Sequence, residues 1–269
     1  MRAGVVGAGG GMGGWLTRHL RSLGYSVAPV DTRNGAPDLR DLDLVVISVP
    51  INSTPDVVRA VAPEMRRGAV LAEIASLKAG SHRALEEAAE LGVVPLCVHP
   101  MFGPSTETLR GRVVAVVPVA DEAKETRLAG RLFPGAELVA LDAERHDRCM
   151  AAVLSLPYAV NLALAKALGG EDLSLASRMA GSTFALQYTL AQSVAGESAE
   201  LARGLLGNES LAPLLQAFTE SLGAVVGSSR DARCFEALHV EMVESLSRDP
   251  TFVRADARRQ AAHRAITRA

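Results

Sequence analysis

His99 opens the hexapeptide His-Pro-Met-Phe-Gly-Pro at residues 99–104. Pro100 and Pro104 restrict the backbone around it, so the loop costs little entropy to hold in one shape. A histidine is a neutral base near pH 7, because its ordinary pKa is about 6.5. Placed at a reacting hydroxyl it can take the proton, help typically worth roughly 10²–10⁴ in rate. Ser76, in Ala75-Ser76-Leu77-Lys78, could orient the same hydroxyl. Both residues follow short apolar runs, as does Ser48 in Ser48-Val49-Pro50. A different kind of cluster lies near the start: Gly7, Ala8, Gly9, Gly10, Gly11, Met12 and Gly13 in succession. Glycines let a backbone turn sharply and approach a pyrophosphate, and a helix beginning there would offer N–H groups and a positive dipole end. Counted from Gly7 the sixth position is Met12; counted from Ala8 the pattern is Ala8-x-Gly10-x-x-Gly13. Together these residues imply a dinucleotide that accepts hydride and a histidine that accepts a proton, an alcohol-oxidising pair.

The elements needed to position them are legible. Residues 1–141 alternate apolar strands with amphipathic helices, which predicts a mostly parallel, doubly wound Rossmann-type α/β domain. Strands are expected at 3–6, 25–30, 42–49, 70–75, 93–98, 112–117 and 138–141. Helices are expected at 12–23, from Thr54-Pro55 to about 67, at 81–91 and at 122–133. In such a sheet ligands sit at the carboxyl ends of the strands. The cofactor residues are therefore expected to be the glycine loop with Ser48, Val49, Pro50 and Thr54. Asp31 ends the second strand and could accept bonds from the ribose hydroxyls, with Thr32 and Arg33 beside it. The carboxylate favours NAD; Arg33 leaves NADP open.

From residue 142 the strand pattern stops. Residues 146–168, 173–195, 199–206, 211–226 and 231–247 carry helical periodicity, several of them apolar around most of the circumference. A domain of this kind over 142–269 needs a partner surface, and a homodimer through the helical domain is expected. His146-Asp147 are expected to form a polar entry to the linking helix, with an oriented histidine near the cleft as the alternative. His19 is expected on a packing face, and His82, His239 and His263 on solvated helices.

The 269-residue chain is 48% apolar and 22% charged with formal net charge −2, which fits a globular protein of two domains. Nothing in that balance points to nucleic acid. No apolar run is expected to reach membrane-spanning length, and no signal peptide is visible, so the expectation is a cytoplasmic protein acting on a small molecule. Cys97, Cys149 and Cys234 are widely spaced without a CxxC pair, and are expected to be reduced thiols and not metal ligands.

The hexapeptide at 99–104 resembles the signature loop of the prephenate and arogenate dehydrogenases. The glycine loop ending at Met12-Gly13, "SVPINST" at 48–54, "ASLK" at 75–78, "HDR" at 146–148 and "SLPYAV" at 155–160 follow in that family's order. The resemblance covers residues 1–165 well and loosens beyond. It implies oxidative decarboxylation of a cyclohexadienol: hydride leaves C4, the ring carboxylate leaves as CO₂, and the ring becomes aromatic. It assigns the C4 hydroxyl to His99 and Ser76, and turns Met101, Gly103 and Ser105 of the loop toward substrate. It also implies a dimer.

One feature departs from the family. Its carboxylate-gripping arginine on a long helix of the second domain aligns here with Ser193 or Val194. Arg178 lies upstream and Arg203 downstream, and Arg178 is the expected substitute; an altered substrate such as arogenate or 4-amino-4-deoxyprephenate is the alternative. The β-hydroxyacid dehydrogenases and imine reductases share the architecture. The hydroxyacid enzymes use a lysine and an asparagine on the linking helix. Asn161 and Lys166 are five residues apart, hence about 140° around a helix, which argues against a shared face. A non-catalytic NAD-binding protein is the third reading.

Overall fold

The structure, a computed structural model, describes residues 1–30 and 38–267. Asp31, Thr32 and Arg33, the residues that bear on the choice between NAD and NADP, lie outside the described residues. The chain divides into two compact units, Met1–Ala151 with Arg203–Asn208, and Ala152–Ala202 with Glu209–Ala269. The division falls near residue 151, about ten residues beyond the loss of the strand pattern.

The first unit is built on a seven-stranded sheet. Its elements are β1 (Arg2–Val6), α1 (Gly11–Ser22), β2 (Ser26–Val30), β3 (Leu44–Ile47), α2 (Thr54–Val61), β4 (Val70–Glu73), α3 (Ala79–Glu90), β5 (Val94–Pro100), β6 (Val113–Val116), α4 (Glu122–Leu132), β7 (Glu137–Ala140) and α5 (Ala143–Met150). The strand order is β2-β1-β3-β4-β5-β6-β7. Neighbours from β2 to β5 run parallel, β6 is antiparallel to β5, and β7 is parallel to β6. The chain leaves β1 on one side for β2 and on the other for β3, which opens a crevice at the carboxyl ends of the strands there.

Two apolar layers sandwich this sheet. Leu44 and Val46 face a layer with Trp15, Leu16 and Leu20 of α1, while Val45 and Ile47 face a layer with Val58 and Val61 of α2 and Leu85 of α3. Alternate residues of one strand thus serve opposite layers, which is why its sequence is a continuous apolar run. Asp121 and Asp142 cap α4 and α5 by accepting the N–H groups of Lys124 and Arg145. Neither α1 nor α3 is capped by its own preceding side chain.

Two boundaries differ from the sequence expectation. β5 does not stop at Val98 but includes His99 and Pro100, because β6 pairs with it there and sets His99 opposite Ala115. Proline is tolerated as the last residue because its missing N–H is not needed by the ladder. The predicted helix at 146–168 is part of a helical run from Ala143 to Gly170, with a π turn at Ala151–Ser155. That run has a mean hydropathy of 1.5 in its most apolar window and is long and apolar enough, by length and composition alone, to cross a membrane. This corrects the expectation that no segment reaches that threshold. The scattered polar residues are too few to lower the average, yet Asn161 is buried and bonded to Gln187 at 2.9 Å, a protein-facing environment.

The second unit is helical: α6 (Leu156–Ala167), α7 (Leu173–Arg178), α8 (Ser182–Ala195), the start of α9 (Ala199–Leu206), α10 (Leu211–Ser228), α11 (Ala232–Leu246) and α12 (Ala255–Ile266). α6 and α12 pack on α8, and α10 packs on α11.

Candidate active site

Gly7, Ser48, Ser76 and His99 lie at or just beyond the carboxyl ends of four neighbouring parallel strands, β1, β3, β4 and β5. Gly7 has φ +83°, and a Cβ there would sit 2.1 Å from the Ser48 carbonyl oxygen. A Cβ on Gly13 would sit 2.0 Å from the Gly7 carbonyl oxygen. Both positions therefore require glycine, one for conformation and close approach, the other for helix-on-strand packing. No side chain caps α1 and no acidic residue lies in its first turn, so its first N–H groups remain available to an anion. These features fit a dinucleotide pyrophosphate at the glycine loop. Gly10 and Gly11 are exposed there, and Ala8 and Met12 are half-buried.

Ser48 and Val49 are half-buried after β3 and Pro50 is exposed. Thr54 departs from the expectation that it meets the cofactor. It is 1% exposed and its hydroxyl donates to the Pro50 carbonyl at 3.2 Å, so it is spent on closing the turn into α2.

His99 is 5% exposed. Its Nδ1 lies 3.1 Å from His146 Nε2, and His146 Nδ1 lies 2.8 Å from Asp147 Oδ1. Asp147 in turn accepts the backbone N–H groups of Lys78 at 2.8 Å and Ala79 at 2.9 Å. It thereby supplies the cap that α3 lacks, a carboxylate at a helix N-terminus. Asn208, the end of the segment Arg203–Asn208 that belongs to this unit, donates to the Asp147 carbonyl at 2.7 Å. His146 and Asp147 are thus buried beside His99, which is the alternative of an oriented histidine and not the polar helix entry expected first. Nothing in their local pattern betrays this, because their partners lie 47 and 69 positions away.

Beneath His99 is a second buried network that sequence reasoning missed. Lys78 and Glu73 form an ion pair at 2.6 Å with both side chains fully enclosed. Lys78 Nζ also donates to the Val98 carbonyl at 2.6 Å, and Glu73 accepts the Cys97 thiol and the Ala75 N–H. Lysine and glutamate near a strand end ordinarily read as solvated; here the two charges face each other and the Lys78 ammonium has the Val98 carbonyl as a second acceptor, which is what lets them be buried. The Cys97 thiol is pushed well up by burial and by Glu73, so it remains a donor.

These surroundings set the charge states. Burial, the Lys78 charge and His146 hold His99 well below the usual histidine range. Burial lowers His146 as well, against the opposing bond to Asp147. Burial alone would raise Asp147, but the bonds donated by His146, Ala79 and Lys78 outweigh it and hold the carboxyl low. Near neutral pH the group is therefore two neutral imidazoles and one carboxylate. His99 Nε2 has no protein partner, and among the described residues the enclosed side-chain polar atom without one is Ser155 Oγ. Nε2 therefore reaches solvent.

The loop after His99 is fastened to α1. Trp15 Nε1 donates to the Thr106 carbonyl at 2.8 Å, and Phe102 meets the Trp15 ring edge-on with centroids 5.1 Å apart. Met101 and Phe102 are half-buried, while Gly103 and Ser105 are exposed. His19 is on a packing face as expected, between Trp15 and Phe133. His82 is not solvated: it is half-buried and bonded to the Pro118 carbonyl at 2.9 Å. In the second unit Arg178 is exposed in the last turn of α7, Asn161 is engaged by Pro157 and Gln187, and Lys166 is exposed.

Comparison with known proteins fits this geometry. Residues 21–133 match the prephenate dehydrogenase, nucleotide-binding domain family. A probable arogenate/prephenate dehydrogenase of Methanocaldococcus jannaschii is 28% identical over 218 residues, 72% of this chain and 49% of that protein. A 4-amino-4-deoxyprephenate dehydrogenase of Streptomyces pristinaespiralis is 36% identical over 151 residues, 54% of this chain and 50% of that protein. The chain spans 49% to 61% of the length of the curated relatives it matches. Prephenate dehydrogenase from A. aeolicus, crystallised with hydroxyphenyl propionate and NAD+, has the same fold: TM-score 0.70 at 19% identity, covering 93% of this chain and 98% of that one.

Proposed function

We propose that this chain carries out NAD-dependent oxidative decarboxylation of prephenate or a close cyclohexadienyl analogue, a step toward tyrosine-type aromatic compounds. The observation that carries this reading is His99: a neutral imidazole at the end of β5, anchored through Nδ1 and open at Nε2, at the head of the family's hexapeptide. Gly7, Ala8, Gly10, Gly11, Met12 and Gly13 would hold the dinucleotide. Bound there, NAD supplies the acceptor for the hydride leaving C4 of the ring. His99 Nε2 holds the C4 hydroxyl proton as that bond breaks, and Ser76 orients the hydroxyl. The proton returns to the ring oxygen once the carboxylate has left as CO₂, so none is released net. Positioning suffices for the rest, since aromatisation drives the reaction.

The substrate carboxylate needs a cation, because burying it unpaired is costly; Arg178 and Arg203 are the proposed candidates. The 36% identity to the Streptomyces enzyme favours the amino analogue as a second reading. The stripe Leu215, Phe218, Leu222 and Val226 on α10 is exposed, and supports a homodimer through the second unit.

The test is NADH or NADPH formation with prephenate, arogenate and 4-amino-4-deoxyprephenate. One of the three should turn over, and His99→Asn should lower kcat by about 10²–10⁴ without changing dinucleotide affinity. Dinucleotide binding without turnover of any of them would leave the binding-protein reading. Oxidation of 3-hydroxy acids instead would move the chain to the rival class.

A further inference from the structure

We infer that His146 and Asp147 are positioning residues that fix the tautomer of His99, placing its proton on Nδ1 and leaving Nε2 as a bare lone pair. The inference rests on the reading of His99 as the base, and adds what makes that base competent.

The assignment follows from Asp147 outward. An ionised carboxylate only accepts hydrogen bonds, and every polar group near this one is an N–H: Lys78 and Ala79 of the backbone and Nδ1 of His146. The proton of neutral His146 must therefore sit on Nδ1. Its Nε2 is left as an acceptor, 3.1 Å from His99 Nδ1. Two acceptors cannot face each other at that distance, so His99 Nδ1 carries the hydrogen and donates it. With one ring proton used, His99 Nε2 is a lone pair, and it is the nitrogen that reaches solvent.

The fold makes this assignment rigid. Asp147 is pinned by the first N–H groups of α3 and His146 is fully enclosed on α5. His99 is clamped by its pairing with Ala115. The other charged or titratable groups in this pocket, Glu73, Lys78 and Cys97, are bonded to one another and to the Val98 carbonyl, so none competes for either imidazole. A base–imidazole–carboxylate arrangement of this kind acts by holding the correct tautomer, and its loss in a serine protease triad costs roughly 10⁴ in kcat.

The decisive measurement is the histidine tautomer in the full chain labelled with ¹⁵N-histidine, read from two-bond ¹H–¹⁵N correlations at pH 7.5. His99 should show protonated Nδ1 and bare Nε2, and His146 likewise. Finding the His99 proton on Nε2 overturns the inference, whether or not any substrate is oxidised. A second arm uses His146→Leu and His146→Gln. Leucine removes the acceptor and should lower kcat by about 10²–10⁴ with dinucleotide affinity unchanged. The Gln amide oxygen can accept from His99 Nδ1 but cannot carry a ring proton, and should restore kcat to within about tenfold of the parent and keep the Nδ1 tautomer. Parent-like kcat in the Leu variant, or a Gln variant no better than Leu, overturns it. If no substrate turns over, the proposed reaction fails, while the tautomer spectrum still decides this point.

Discussion

The two units spend their apolar residues in opposite ways. Among the described residues, the buried apolar side chains of the second unit are Ala191 and Leu211; the rest lie in the first unit. The second unit instead exposes Leu175, Met179, Leu190, Phe218, Leu222, Val226, Val240 and Leu246. The first unit is closed on itself to the point of burying a lysine and a glutamate together. The second holds helices whose apolar faces have no cover within the unit. One therefore encloses its apolar residues, while the other presents them.

The sharpest way to break the contrast is to unbalance the closed unit. Lys78→Met leaves Glu73 enclosed without its partner and should cost about 3–5 kcal/mol, seen as a drop in urea midpoint. Replacing both members, Glu73→Leu with Lys78→Met, should recover most of it, because the desolvation of both charges is then avoided. The open unit should answer differently. Leu222→Asp is expected to leave far-UV circular dichroism intact while weakening self-association tenfold or more, about 1.4 kcal/mol, read by light scattering across a dilution series. A parent chain that is monomeric at micromolar concentration would remove the premise.

Acid should act on the first unit selectively. His99 and His146 are held below the ordinary histidine value, so below about pH 6.5 the unfolded chain binds more protons than the folded one. Stability should be level above that pH and fall as pH drops from about 6.5 toward 5, before Asp147 contributes its own loss at lower pH. Urea midpoints from pH 5 to 8 test this, and His146→Gln should flatten the slope. The same shift places the acid limb of kcat/KM below the ordinary histidine range. The smallest effect is expected on the open unit: Lys166→Ala, at an exposed site, should change stability by less than about 0.5 kcal/mol and leave turnover unaltered. A large loss of turnover there would favour the hydroxyacid class.

The architecture was legible because hydrophobic period is a local signal. The run from Leu42 to Val49 alternates between two layers, and the residues themselves say so. Gly7 and Gly13 were legible for a related reason, since few residues fit a tight strand-to-helix turn. The support of His99 was not legible. His146 and Asp147 have no periodic mark, and become neighbours of His99 only when α5 docks against α3. The burial of Lys78 was not legible either: charge ordinarily goes with exposure, and burial here depends on Glu73, Cys97 and Val98 arriving together. The extension of β5 through Pro100 depended likewise on β6, a partner that the strand's own sequence does not encode.

Trp15 is the single tryptophan of the chain, and its position has a spectroscopic consequence. It lies in the first turns of the helix that follows the glycine loop, with its indole N–H tied to Thr106 and its ring against Phe102. Its emission therefore reports on one place only, the junction between the glycine loop and the segment that follows His99. Quenching or energy transfer on adding reduced dinucleotide would give a label-free titration of that junction, with no second tryptophan to subtract.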